Sequence, residues 1–228
     1  MILYGPFTWL IFLVFFATLI IQSWLQRTYA QYSRVPNARG LTGAETARII
    51  LDRYGLREVK VEPVRGQLTD HYDPRSKTVR LSEGNYGSPS LAALAVAAHE
   101  VGHALQDASN YTPMRIRAQL VPAAQIGGNL GPWLFFIGLM MQLTSLATIG
   151  LYLFAAAALF QLVTLPVEFN ASNRALNNLK KFELLAPNEL PAAKKVLTAA
   201  ALTYVAALAM SVAYLLQYAA ILGAGRDD

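Results

Sequence analysis

The sequence predicts a mainly α-helical membrane protein with about four transmembrane helices and a small cytoplasmic α+β region. Three observations lead to this fold class: the composition, four long apolar segments, and strand-like and helix-like patterns between the first two of those segments. Of the 228 residues, 54% are hydrophobic and 14% are charged, whereas an average soluble domain is about a quarter charged. A low and unevenly placed charge is typical of a membrane protein.

Four segments are long and apolar enough to cross a bilayer, which takes about 20 residues. They are predicted at approximately 2–24, 120–143, 146–167 and 196–222. The first segment has no basic residues before its apolar run and no small-x-small site after it, so we expect a retained anchor and not a signal peptide. Only an uncharged turn at Thr144 and Ser145 separates the middle two segments. We therefore expect those two spans to form a helical hairpin.

Lysine and arginine are concentrated in two segments, at approximately 27–118 and 168–195. These segments contain thirteen and five basic residues, respectively. Four spans place both segments on the same side of the membrane, and the positive-inside rule makes that side cytoplasmic. The basic residues are scattered and form no stripe, which argues against a nucleic-acid partner and favours contact with membrane lipid. We expect a single membrane-embedded domain over 1–228.

The segment between the first two spans has the pattern of a small α+β unit. Thr42-Gly43-Ala44-Glu45 has the form of a capping box and predicts a helix start. Strands are predicted around Val59–Val64 and Thr78–Leu81. Ser88 and Pro89 are expected to begin a longer helix that is rich in alanine and leucine. That helix is apolar on most faces, which indicates that it is buried.

The long helix contains the sequence H-E-V-G-H at 99–103. Residues four apart lie on one helix face, so the imidazoles of His99 and His103 can reach one ion. Glu100 is offset in angle and is the candidate general base for a water on that ion. The chain has no cysteine, and imidazole ligands suit Zn²⁺. If the two histidines were merely core residues without an ion, their burial would be unfavourable.

A catalytic zinc site needs a third protein ligand, and Glu168 is predicted for this role. It follows the third span in P-V-E-F-N-A-S-N-R-A at 166–175. The hairpin of the middle spans returns the chain there to the side of the histidines. An interfacial carboxylate that reaches water is the alternative for Glu168. Asp107, one turn beyond His103, is the rival as a ligand or as an acceptor for an imidazole N–H.

Further side chains are candidates for roles around the metal. His71 and Arg174 are further candidate catalytic residues, and with Tyr111 they are the candidates to stabilise an oxyanion. His71 could equally lie in a turn. The strand at Thr78–Leu81 is expected to offer an edge to an extended substrate.

Four stretches together resemble the YugP-type membrane zinc metallopeptidases of bacteria. They are G-Q-L-T-D-H-Y-D-P (66–74), K-T-V-R-L-S (77–82), A-A-H-E-V-G-H-A-L-Q (97–106) and L-P-V-E-F-N-A-S-N-R-A-L (165–176). The resemblance covers nearly the whole chain and implies a zincin-like region around the H-E-x-x-H helix. The family is similar to the HtpX and CAAX-prenyl-protease group of gluzincins. In that group the third zinc ligand is the Glu of an E-x-x-x-D pattern.

Carried over to this chain, the third ligand implied by the resemblance is Glu168. The Asp of the pattern is replaced by Ser172. In the related group this acid supports the zinc site, and Asn170, Asn173 and Asp107 are the candidates to take over its role here. The resemblance implies a peptidase but does not supply a substrate.

The sequence therefore predicts a zinc-dependent endopeptidase in the bacterial cell membrane, with its active site on the cytoplasmic side. Its expected partners are a membrane-associated protein or peptide substrate, membrane lipid and a membrane protein complex. The alternative is a zinc-binding, non-catalytic membrane adaptor or regulator of another protease complex. A transporter or channel is disfavoured because spans two to four have no ionisable residue near their centres.

Overall fold

The computed structural model describes residues 5–224, and over that range the chain is mostly helical with one small sheet. The helices are α1 (Thr8–Tyr32), α2 (Gly43–Arg53), α3 (Glu83–Tyr86), α4 (Leu91–Ala108), α5 (Thr112–Met140), α6 (Thr144–Lys181) and α7 (Leu190–Ala224). The strands are β1 (Lys60–Val64), β2 (His71–Asp73) and β3 (Thr78–Ser82). The prediction of a mainly α-helical chain with a small sheet is confirmed.

The chain forms two compact units that alternate along the sequence. The first, which we call the helical unit, contains, within the described range, residues 5–21, Arg115–Pro166 and residues 203–224. The second, which we call the mixed unit, contains Gln22–Met114 and Val167–Leu202. The sheet and the H-E-V-G-H helix both belong to the mixed unit.

Three helices within the described range have the length and composition to cross a membrane. They are α1, α6 and α7. The first predicted span starts at Ile2, and its first three residues lie outside the described range. Helix α5 occupies the position of the second predicted span but does not share the strongly apolar composition of the other three. Three of the four predicted spans are therefore confirmed as candidates, and the fourth stays a prediction.

The helical unit is built around a close approach of α5 and α6. Glycines make this possible, because a side chain at Gly138 would collide with the backbone of Ala147. A side chain at Gly150 would likewise collide with the backbone of Phe135. Small residues allow helices to pack at short range where no water-driven burial holds them together. The predicted helical hairpin is present, but its turn lies at residues 141–143. Thr144 and Ser145, which were expected to form the turn, are instead the first residues of α6.

The sheet of the mixed unit has the strand order β1-β3-β2. Strand β1 pairs in parallel with β3, and β2 pairs with β3 in antiparallel fashion. The expectation that Thr78–Leu81 offers a free edge is therefore wrong, because β3 is the central strand and both its edges are already paired. Strand β2, which was not predicted, forms one edge of the sheet, and α4 packs against it.

The starts of α2 and α4 show how local sequence determines this unit. Thr42 and Glu45 form the predicted capping box, with the Glu45 carboxylate accepting from Thr42 N–H at 2.8 Å. Helix α4 begins at Leu91, and Ser90 caps it by accepting from Ala93 N–H at 3.2 Å. The predicted start at Ser88 and Pro89 is thus wrong by two residues. The Pro89 carbonyl instead accepts hydrogen bonds from the backbone and side chain of Asn37.

Helix α4 lies in the hydrophobic core of the mixed unit, as its sequence predicts. Leu94, Ala98 and Val101 are fully buried in the cluster that α4 forms with α2 and β3. This burial fixes the orientation of α4 and thereby determines the direction in which its histidine-bearing face points.

Candidate metal centre

Three side chains from two helices converge in the mixed unit. His99 and His103 extend from α4, and Glu168 extends from α6. Their potential ligand atoms all lie within 4.8 Å of one another. Glu168 Oε2 is 3.2 Å from His99 Nε2 and 3.5 Å from His103 Nε2. The structure thus brings together the three residues that the sequence predicts as metal ligands.

The distances from Glu168 to the two histidines fit the ligand spacing of a tetrahedral ion. Zinc binds imidazole nitrogen and carboxylate oxygen at about 2.0–2.2 Å, which places neighbouring ligands roughly 3.3–3.5 Å apart in a tetrahedron. The separations of 3.2 and 3.5 Å between the carboxylate and the two nitrogens lie close to that range. The donor set of two nitrogens and one oxygen is also the one that zinc accepts in catalytic sites. The residues therefore fit a zinc ion.

The site is buried, which strengthens every electrostatic interaction within it. Glu168 is only 1% exposed, and His103 and Glu100 are each 8% exposed. A buried carboxylate is tolerated only with partners, and Glu168 has two imidazoles beside it.

A glycine allows the two helices to meet at this point. A side chain added at Gly102 would lie 2.7 Å from the Ala171 carbonyl oxygen on α6. The missing side chain therefore permits the backbone approach that brings Glu168 to the histidines. Gly102 was not among the predicted site residues, although it lies within the H-E-V-G-H motif.

Each histidine has a second partner at its other ring nitrogen. His99 Nδ1 lies 3.2 Å from Ser172 Oγ, and His103 Nδ1 lies 2.9 Å from Gln106 Oε1. Ser172 therefore stands at the position of the missing acid and itself contacts a histidine. Asn173, one of the expected substitutes, is exposed to solvent. Gln106 was not among the predicted site residues, although its position three residues after His103 places it within reach on the same helix.

Asp107 lies apart from the three converging side chains. Its carboxylate accepts from the Tyr72 hydroxyl at 2.7 Å and forms an ion pair with Lys77. Burial, followed by the hydrogen bond to Asp107, raises the pKa of Tyr72, so this hydroxyl remains a donor. The contact joins the β2–β3 hairpin to the end of α4.

Glu100 is shielded from solvent next to the histidines. Burial raises the pKa of its carboxyl, and the neighbouring histidines His99 and His103 partly oppose this effect. For His103, desolvation lowers the pKa, but the hydrogen bond and charge of Glu168 bring the net shift upward. A carboxylate whose pKa is moved towards neutrality is better suited to accept and return a proton.

The three candidates for an oxyanion donor have different surroundings. His71 is exposed on β2, with Nδ1 2.8 Å from the Thr69 carbonyl oxygen. Tyr111 is half-buried just after α4. Arg174 Nε donates to Asn170 Oδ1 at 2.8 Å, so this guanidinium has a partner inside the protein.

Comparison with known proteins agrees with the chemistry of this site. Residues 7–223 match the family described as "Putative neutral zinc metallopeptidase", and the chain belongs to this family. The chain is also 46% identical over 216 residues to the "Putative membrane protease YugP" of Bacillus subtilis (strain 168), with 93% of this chain and 96% of that protein covered. No solved structure matches the chain.

Proposed function

We propose that this chain is a zinc-dependent endopeptidase of the bacterial cell membrane, with His99, His103 and Glu168 as metal ligands and Glu100 as general base. The observation that carries the proposal is the convergence of these three ligands beside a buried glutamate. The family and the YugP relative support it by their descriptions as a zinc metallopeptidase and a membrane protease.

The chemistry divides between the metal and this chain's own residues. Zinc, when bound, polarises the scissile carbonyl and acidifies water. Glu100 removes a proton from the attacking water and passes it to the departing amine, so its carboxylate ends the reaction as it began. The two imidazoles and Glu168 hold their positions because α4 and α6 are packed against each other at Gly102.

The alternative of a non-catalytic zinc adaptor is less well supported. A structural zinc site is normally closed by four protein ligands, whereas a catalytic one keeps a position open. Among the described residues, the candidate metal group contains three ligand side chains. A buried carboxylate at Glu100 has an obvious use in catalysis and none in a purely structural site.

The membrane arrangement that we propose has four spans, with α5 as the second. Support comes from its large apolar side chains, because Ile126, Leu130 and Trp133 are all strongly exposed, as lipid-facing residues are. Its close packing with α6, which is itself a candidate span, favours the same environment. With four spans the site faces the cytoplasm by the charge rule.

The substrate class that fits is an extended, membrane-associated polypeptide. Strand β2 is an edge strand that packs beside α4. An edge strand can add an extended peptide by main-chain hydrogen bonds, with little demand on the peptide's sequence. His71 lies on this strand and Arg174 lies near the end of α4, so both remain candidates for contact with the reacting carbonyl.

The test uses the full chain, purified in detergent. Glu100→Gln should retain about one zinc per chain while losing at least about 100-fold in cleavage rate, because general-base catalysis typically contributes 10²–10⁴-fold. Zinc is measured by elemental analysis, and cleavage with a mixture of quenched fluorescent peptides. His99→Ala is the control that should lose both zinc and activity. Undiminished cleavage by Glu100→Gln would refute the mechanism.

A further inference from the structure

Gln106 occupies an unusual place for an amide side chain. It is completely buried at 0% exposure, on α4, one turn beyond His103. Its Oε1 lies 2.9 Å from His103 Nδ1, and its Nε2 lies 2.7 Å from the Val167 carbonyl oxygen. A buried amide needs such partners, since each unpaired polar atom would cost about 1–3 kcal/mol.

These contacts fix which end of the amide faces the histidine. The Val167 carbonyl oxygen can only accept a hydrogen bond, so the Gln106 atom next to it must be the NH₂ group. The other end of the amide, which faces His103, is then the carbonyl oxygen. An oxygen can only accept, so the proton of a neutral His103 must be on Nδ1. Its Nε2 is left with a lone pair, and this is the nitrogen that faces Glu168.

A second amide reinforces the orientation of the first. Asn170 Oδ1 accepts from Gln106 Nε2 at 3.0 Å and from Arg174 Nε at 2.8 Å. A guanidinium has donors and no acceptor, so it requires the oxygen of Asn170 to point towards it. Arg174 thereby determines the orientation of Asn170, and Asn170 supports that of Gln106.

His99 lacks this constraint. Its Nδ1 lies 3.2 Å from Ser172 Oγ, and a hydroxyl can act as either a donor or an acceptor. The Ser172 contact is therefore compatible with both tautomers of His99. Of the two histidines, His103 is the one whose tautomer the surrounding protein specifies.

We infer that Gln106, held by Asn170 and Arg174, is a positioning residue that keeps the proton of His103 on Nδ1 and presents Nε2 to the metal. The inference rests on the proposed metal site. In many zinc sites a carboxylate or backbone carbonyl takes this place. Here a neutral amide does so, and its orientation is supported by a chain of hydrogen bonds that runs through the Asn170 oxygen to a permanently charged arginine.

Zinc affinity of the full chain in detergent, measured by competition with a chelator, tests the inference. Gln106→Met, which has a similar volume but no acceptor, should weaken zinc binding about 10–100-fold, as loss of an outer partner typically does. Asn170→Leu should weaken it in the same direction. Asn170→Asp preserves the oxygen acceptor and should bind zinc within about threefold of the unmodified protein, a result that loss of packing alone would not produce. Asn173→Leu, the same change at an exposed position of the same helix, is the matched control.

A spectroscopic measurement reports the tautomer directly. The chain has only three histidines, so ¹⁵N-histidine labelling gives a simple spectrum. In the zinc-loaded protein, the Nδ1–H of His103 should exchange slowly with solvent. Gln106→Met should accelerate that exchange about tenfold, because the proton loses its buried hydrogen-bond acceptor. The signal of His99 should remain unchanged in this variant.

The outcomes separate the inference from the proposal on which it rests. If the unmodified protein binds no zinc, the proposed metal site is wrong. If it binds zinc and Gln106→Met binds as tightly as Asn173→Leu, the metal site stands and the positioning role is overturned. The role is also overturned if Asn170→Asp loses as much affinity as Asn170→Leu, because the oxygen acceptor would then be irrelevant.

Discussion

The helical and mixed units place their apolar side chains in opposite ways. Most of the large exposed apolar residues lie in the helical unit, among them Trp9, Leu130 and Trp133, while glycines occupy its helix contacts. In the mixed unit the large apolar residues, such as Ile50 and Leu94, are buried with the ionisable cluster. The difference indicates that the helical unit is surrounded by lipid and the mixed unit by water. An apolar surface with small residues at the helix contacts is stable in lipid, whereas water favours burial of apolar residues in a core.

The mixed unit also contains a close helix–helix contact that a glycine allows, at Gly102. Here α4 and α6 approach at backbone distance, as α5 and α6 do at Gly138. In the hairpin the approach supplies packing. At Gly102 it also determines the distance between a carboxylate and two imidazoles. The same local feature therefore has consequences for stability in one unit and for chemistry in the other.

The largest effect is expected for removal of a ligand. Glu168→Ala should weaken zinc binding by more than the roughly 10–100-fold typical of an outer partner, because it removes one of three donors and leaves a buried gap. Asp107→Ala should leave zinc bound, since Asp107 pairs with Tyr72 and Lys77. Elemental analysis of both purified variants checks this. Loss of zinc in Asp107→Ala alone would reverse the assignment.

The second prediction concerns whether α5 crosses the membrane. It is tested by cysteine labelling, in which an accessible position reacts and a protected position does not. The absence of cysteine makes single-cysteine variants clean probes for a membrane-impermeant maleimide in intact cells. Arg75→Cys and Asn188→Cys, both at exposed positions, should be protected on the cytoplasmic side. Ser145→Cys, at an exposed position in the first turn of α6, should be labelled. Equal labelling at all three positions would show that α5 does not cross.

Gly102→Ala should have an intermediate effect on zinc affinity within the mixed unit. The added methyl group meets the Ala171 backbone, so we expect α6 to move away and zinc affinity to fall about tenfold, in the range of an outer-partner loss. Gly128→Ala is the matched control, because its methyl group would lie 3.8 Å from the Ala157 side chain, which is ordinary contact. Both changes raise helix propensity by about 1 kcal/mol. Equal zinc affinity in the two variants would contradict the role assigned to Gly102.

The smallest effect on zinc affinity is expected for Gly138→Ala. Its methyl group would collide with Ala147 across the hairpin, and such overpacking typically destabilises by about 1–3 kcal/mol. Thermal unfolding in detergent should therefore shift downward while zinc affinity stays unchanged. A fall in zinc affinity comparable to that of Gly102→Ala would mean that the metal site depends on the hairpin.

The sequence by itself determined what depends on neighbours along the chain. The spacing of His99 and His103 follows from the helix repeat, and the start of α2 follows from the side chains of Thr42 and Glu45. Three candidate spans followed from hydropathy, because crossing a bilayer is a requirement on length and composition. Glu168 was reachable from the sequence through span counting and through the family resemblance.

Only the tertiary structure decided which side chains from different elements meet. Strand β3 is central because both β1 and β2 pair with it. The order of strands in a sheet cannot be predicted from the residues of one five-residue segment. Asp107 has the helical spacing of a ligand but is held by Lys77 from a distant hairpin. Gln106 and Gly102 acquire their roles from Val167 and Ala171 on α6. Contacts of this kind depend on how two helices pack, and packing is set by the whole core and not by the residues nearest in sequence.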